Sequence, residues 1–185
     1  MVTQPSLVGA VATARVLGTI ALLVGLVTSL TALMGGTAGL GGPVLAVLAV
    51  LLFGVPFAWV SVARRAWYRT RLEAATPAPQ GSPVIAREDT FEAVSRPLTV
   101  PVVIGLGLGV LIASTTGVPA GLALAGAGSG LLWQAQWLAR EERKRGTWLL
   151  CPHAPLRPAP DDPALALYQQ VPFYTAPAQL ADARS

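Results

Sequence analysis

The sequence predicts an all-α integral membrane protein: four transmembrane helices arranged as two helical hairpins, with a Pro-rich cytoplasmic C-terminal tail. Three observations predict it. Of the 185 residues, 53% are hydrophobic and 12% are charged, about half the charge of an ordinary soluble domain, and the mean hydropathy is +0.58. Uncharged runs long enough to cross a bilayer recur along the chain. None of the thirteen Lys and Arg residues lies inside those runs, Arg15 bordering the first.

Residues 1–15 read as a cytoplasmic N-terminus, and 16–63 as the first transmembrane hairpin. Its first span, Val16 to Met34, has no ionisable side chain, and about 20 apolar residues cover a hydrocarbon core of roughly 30 Å. The glycine-rich linker Gly35 to Gly42 cannot hold a helix. Pro43 suits the first turn of the second span, Val44 to about Ala63, which Gly54 and Pro56 are expected to bend. A cleaved signal peptide is the rival reading of the first run, disfavoured by the length of that run and the single Arg15 before it.

Residues 64–97 read as a cytoplasmic basic loop with a short amphipathic helix. Asp89 and Glu92 fit a capping box, Phe91, Val94 and Leu98 fall on one face, and Pro97 is expected to end or kink the helix. The second transmembrane hairpin, 98–139, has spans from Leu98 or Pro101 to Thr116 and from Pro119 to about Ala139. The tight Thr116-Gly117-Val118 turn predicts that these two lie antiparallel. Residues 140–185 read as a basic helix extension, with Glu141 and Arg145 paired and Gly146 as C-cap, then the tail. Asp162-Pro163 is expected to start a short helix through Gln170, while the many prolines argue against a packed domain. The order of helix, turn, Trp-ended helix and basic cluster occurs twice, Trp59 to Arg71 and Trp133 to Arg145, a weak sign of tandem duplication.

With a cytoplasmic N-terminus, every Lys and Arg falls on the cytoplasmic side and the two exoplasmic turns carry no charge, the positive-inside pattern. Trp59, Trp67 and Tyr68, with Trp133, Trp137 and Trp148, are placed as an aromatic belt at that interface. Arg-rich, Ala- and Gly-rich usage suggests a GC-rich bacterium, hence a bacterial cytoplasmic (inner) membrane, with both termini cytoplasmic. The basic residues Arg64, Arg65, Arg69, Arg71, Arg140, Arg143, Lys144 and Arg145 are expected to set topology and meet anionic headgroups, at about 1 kcal/mol each. Nucleic acid is not an expected partner, because a juxtamembrane position already explains this charge.

Small residues recur every four positions: Ala21, Gly25 and Ser29; Gly105, Gly109, Ala113 and Gly117; Gly121, Ala125 and Ser129. Such stripes let membrane helices approach closely. The run Gly126 to Gly130 has no preceding strand and no nearby Lys, so it reads as packing rather than as a phosphate loop. Spans two to four hold no carboxylate, Lys or His, the usual mark of a proton relay. Gln134 and Gln136 read as hydration or helix–helix hydrogen bonding. A single Cys151 excludes an internal disulfide, and Cys151 with His153 makes only half a tetrahedral zinc shell. No cofactor, metal or catalytic constellation is expected.

The leading expectation is a non-enzymatic accessory or assembly subunit of a larger membrane complex, partnering lipids and either another membrane protein or itself through the Gly/Ala stripes. Apolar groups of the tail, Trp148, Leu149, Leu165, Tyr168, Phe173 and Tyr174, read as a docking segment. The alternative is a small oligomeric carrier or channel. A membrane enzyme with its site near Arg87, Glu88, Asp89 and Glu92 ranks third.

Overall fold

The computed structural model describes residues 5–35, 41–79, 81–86, 89–155, 159 and 162–177. Most of the first linker (36–40), Arg87, Glu88, Pro158 and Pro160 lie outside the described residues. The fold is mainly helical, and three of its helices, Ala10–Met34, Gly42–Glu73 and Thr90–Thr116, are long and apolar enough to cross a membrane.

Strand β1 (Leu7–Gly9) leads directly into α1 (Ala10–Met34), so the first helix begins before Val16 and includes Arg15 as an exposed residue. Helix α2 (Gly42–Ala58) has Pro43 in its first turn and Pro56 inside it. A π-helical turn, Trp59–Ala63, follows, and α3 (Arg64–Glu73) continues the same rod. The expected bend is therefore taken up as a widened turn, and the basic residues from Arg64 stand on a helix rather than in a loop. Strand β2 (Thr76–Pro77) precedes α4 (Thr90–Thr116), which runs through Pro97 and Pro101 without a break. The expected short helix and the third span are thus one helix. Asp89 makes no side-chain cap; Thr90 Oγ1 donates to the Ala86 carbonyl instead, at 2.9 Å. Val94 is buried while Phe91 is exposed, so the two do not share one buried face.

Helix α5 (Gly121–Arg145) follows a turn closed by Gly117 at φ 64°, and it ends at Gly146 with φ 61°. These left-handed residues are the αL caps that glycine takes without a Cβ penalty. Glu141 pairs with Lys144 at 3.0 Å rather than with Arg145, whose Nη1 donates to the Leu72 carbonyl at 3.2 Å.

The close backbone approaches form a row, α4 against α1, α1 against α5 and α5 against α2. Consecutive helices are not the tightly packed pairs, so the expected hairpins are not how the helices pack. The sequence duplication has no counterpart in the packing either, because α1 has two close helical neighbours and α4, its equivalent in the second repeat, has one. Glycine explains the choice. Where facing residues lack a Cβ, backbones meet, and those residues lie on α1 and α5 rather than on the faces of successive helices.

The tail, expected to remain unpacked, folds. Strand β3 (Thr147–Pro152), the short helix α6 (Leu165–Gln170) and strand β4 (Tyr174–Pro177) follow α5, and the strands form one sheet in the order β1-β3-β4-β2. Leu7 lies opposite Pro152, Leu150 opposite Tyr174, and Thr76 opposite Tyr174 in the parallel pair. Beyond β1, the 83–85 segment adds two bonds to Leu7, each 2.8 Å.

Period-two alternation gives this sheet two cores. Val8, Leu149, Cys151 and Phe173 pack with Val11, Tyr68, Leu72, Val94 and Leu138 at the helix ends. Leu7, Trp148, Leu150 and Ala176 face the other way, under Ala78 and Val84. The prolines do not prevent this, since Pro152 and Pro177 stand at the ends of their strands, where a missing donor is tolerated. Trp148 belongs to this core and not to an aromatic belt.

Candidate functional site

Two stripes expected for packing meet along the α1–α5 seam. A Cβ on Gly25 would collide with the Ala125 backbone and stand 2.5 Å from the Gly121 carbonyl; one on Gly121 would stand 2.8 Å from Ser29 Oγ. Further along, a Cβ on Gly128 would lie 2.5 Å from the Leu22 nitrogen and 2.7 Å from the Gly18 carbonyl. Gly18 with Gly128 and Gly25 with Gly121 give an antiparallel register. Thr28 and Ser29 are buried here, yet their hydroxyls bond back to Gly25 O at 3.1 and 2.7 Å and so pack as small groups. Ala21 and Ser129 are half-buried.

The third stripe divides. A Cβ on Gly109 would lie 2.7 Å from Thr28 Cγ2, and Ala113 and Gly117 are buried, whereas Gly105 faces open space. Gly105, Gly109 and Gly121 border a cavity of about 230 Å³ between α1, α4 and α5.

Helix α5 also seats on the α2 rod, in parallel. Gly126 abuts the Phe53 backbone, Gly130 stands against Phe57 O and Val60, and Arg145 reaches Leu72 O. Between them Gln134, 1% exposed, donates from Nε2 to the Val60 and Ser61 carbonyls at 3.1 and 2.7 Å. Both carbonyls belong to the π-helical turn. Gln134 Oε1 is buried with no hydrogen-bond partner. This clasp realises the helix–helix bonding expected of Gln134, while Gln136 is exposed. The sequence did not reveal its target, because a π turn has no residue signature of its own. Trp59 and Trp133 immediately precede the clasped Val60 and Gln134, and both are more than half exposed, at 67% and 51%.

Beyond the clasp, α3 and α5 continue side by side and carry the basic residues. Arg64, Arg65, Arg69, Arg140, Arg143, Lys144 and Arg145 are exposed, and Arg71 is half-buried with its guanidinium 5.2 Å from the Trp67 ring centre. Arg65 lies 5.8 Å from the centre of Trp137. Trp137 lines a groove of about 380 Å³ with Arg69, Glu73, Glu141, Lys144 and Arg145, and a smaller recess with Arg65, Trp133 and Arg140.

Cys151 lies near the end of β3 with its thiol in the core, and the His153 backbone N–H donates to the Ser6 carbonyl at 2.8 Å. Burial pushes the Cys151 thiol up to about 12. Among the described residues no three His, Cys, Asp or Glu side chains form a cluster able to hold a metal ion. Asp89 and Glu92 are exposed, the latter 4.0 Å from Arg96. Of the tail's apolar residues, Trp148, Leu149 and Phe173 are buried in the chain's own cores, and Leu165, Tyr168 and Tyr174 are half-buried. Comparison of the chain with family models, curated proteins and solved structures finds no match.

Proposed function

We propose that this chain is a four-span protein of a bacterial cytoplasmic membrane, both termini inside, serving without catalysis as an accessory or assembly subunit of a larger membrane complex. Parity supports the fourth crossing. Strand β1 precedes α1, β2 follows the α2 rod, and β3 follows α5, yet all three belong to one sheet. If α1, the rod and α4 each cross the bilayer, only a crossing by α5 returns β3 to the side of β1 and β2. The parallel seating of α5 on the rod fits the same depth. Its lower apolarity follows from its place, because a helix covered on two sides by protein needs less lipid-facing Leu and Val than a flanking one.

The positive-inside rule then assigns the sheet and the basic helix ends to the cytoplasm. The observation that carries the subunit reading is the open row. Helix α2 contributes no buried residue and α4 only three, Thr90, Val94 and Ala113, so both flanks are free along their length while the cytoplasmic ends are locked in a sheet. A row encloses no central pathway; it offers two apolar flanks from a fixed base. Photocrosslinkers at Val103 on α4 and Val50 on α2, in native membranes, test this. The expected result is a discrete protein adduct from at least one flank; adducts to lipid alone from both would overturn it.

The second reading, a small oligomeric carrier, is favoured by the interrupted rod, since π turns recur at functional sites and broken helices mark transporter binding sites. Solute flux in proteoliposomes separates the two.

A further inference from the structure

We infer that the groove between α3 and α5 is a binding site for the phosphate of an acidic phospholipid headgroup, a defined site in place of diffuse attraction. The inference rests on the membrane reading above and deepens it. Five basic residues border the two recesses on either side of Trp137: Arg65 and Arg140 on one side, Arg69, Lys144 and Arg145 on the other. Two carboxylates, Glu73 and Glu141, share the larger recess with the cations; Glu141 is engaged by Lys144 at 3.0 Å, and among the described residues Arg65, Arg69 and Arg140 have no carboxylate partner.

Rigidity separates a site from a charged surface. The two helices are fixed to each other at one end of the groove by Gln134 on the Val60 and Ser61 carbonyls, and at the other by Arg145 on the Leu72 carbonyl. The cations are therefore held at set spacing on helices, where arginine forks match phosphate oxygens with little ordering cost. Depth selects a lipid over a free anion. Exposed Trp133 lines the smaller recess with Arg65 and Arg140, exposed Trp59 precedes Arg65 on the rod, and such rings sit at the headgroup level, so a phosphate in the groove has its acyl chains alongside the apolar part of the rod.

The test is native mass spectrometry of detergent-purified, delipidated protein titrated with dioleoyl phosphatidylglycerol, with dioleoyl phosphatidylcholine, and with inorganic phosphate. Detergent makes the reading independent of which way the chain inserted, so failure here is distinguishable from failure of the topology. One phosphatidylglycerol is expected to bind at least tenfold more tightly than phosphatidylcholine, weakened at least tenfold in R65Q/R69Q/R140Q and unchanged in R96Q/R143Q, which removes two cations outside the groove. Should the triple variant aggregate, R69Q alone, at an exposed position, is expected to weaken binding at least threefold. Equal binding of the two lipids, or binding unaffected by R69Q, would overturn the proposal. So would displacement of the lipid by millimolar phosphate, which would identify a free-anion site.

Discussion

Replacing Gly128 with Ala tests the α1–α5 seam at one of its close backbone contacts. The added methyl would stand 2.5 Å from the Leu22 nitrogen and 2.7 Å from the Gly18 carbonyl. Ordinary contact begins at 3.4 Å, and both obstacles are backbone, so the helices must separate by about 1 Å. A radial gap of 0.5–1 Å forfeits roughly a quarter to a half of each dispersion contact, and overpacking of this kind costs about 1–3 kcal/mol. Alanine returns about 0.8–1 kcal/mol of helix propensity, which offsets part of the loss but not the separation of a whole seam. Gly105→Ala supplies the control, since nothing lies within 4 Å of a Cβ there. Unfolding in mixed micelles, followed by circular dichroism, should place G128A below the wild type by up to about 2 kcal/mol, the overpacking cost less the propensity gain, and G105A at or above it, so that G128A is the less stable of the two variants. Equal stabilities, or G128A the more stable, would refute the close-packed seam.

Gln134→Leu should cost between about 0.6 and 1.7 kcal/mol, the average and the maximum found for intramembrane side-chain hydrogen bonds by double-mutant cycles, and should loosen the π turn, seen as faster hydrogen exchange at residues 59–63; unchanged exchange there would contradict the clasp. Phe173→Ala removes a ring stacked 6.2 Å from Tyr68 in the core that joins sheet to bundle. A loss of about 3–5 kcal/mol is expected, together with rapid proteolysis of the tail, and a protease-resistant tail would count against that core. Cys151 should resist thiol reagents at pH 8 in the folded protein and react fully once unfolded. Its thiol is raised from its ordinary value of 9.0 to about 12, so its neutral form supports the fold fully below pH 9 and that support is lost as pH rises toward 12. Labelling of the folded protein at pH 8 would show the burial to be wrong.

Three spans and the glycine helix end were legible because they depend on local chemistry, uncharged length, Pro43 at a helix start and Gly146 at a helix end, whereas the capping box read at Asp89 did not form. The partners of each helix were not. The small residues of the stripes announced close approach, but which stripe meets which is a property of facing pairs, and adjacency in sequence misled toward hairpins. Apolar length alone likewise marks α5 weakly, because Gln134 and most of its Gly and Ala residues face protein. The sheet escaped notice for a different reason. Trp148 to Cys151 is a short unbroken apolar run, and its strand character depends on β1, more than 140 residues earlier in sequence, a pairing that local pattern cannot supply. The basic residues were visible as charge, whereas the groove exists only because α3 and α5 run parallel.

The central claim, four crossings that return the sheet segments to one side, is tested most directly by cysteine accessibility in intact cells. In a Cys151→Ala background, single cysteines replace Gln80, Val118 and Ala166 in turn, and an impermeant maleimide is applied from outside. The account predicts labelling at Val118, with Gln80 and Ala166 both protected until the membrane is permeabilised. Labelling of Ala166 from outside while Gln80 stays protected would mean that α5 does not cross, and would contradict it.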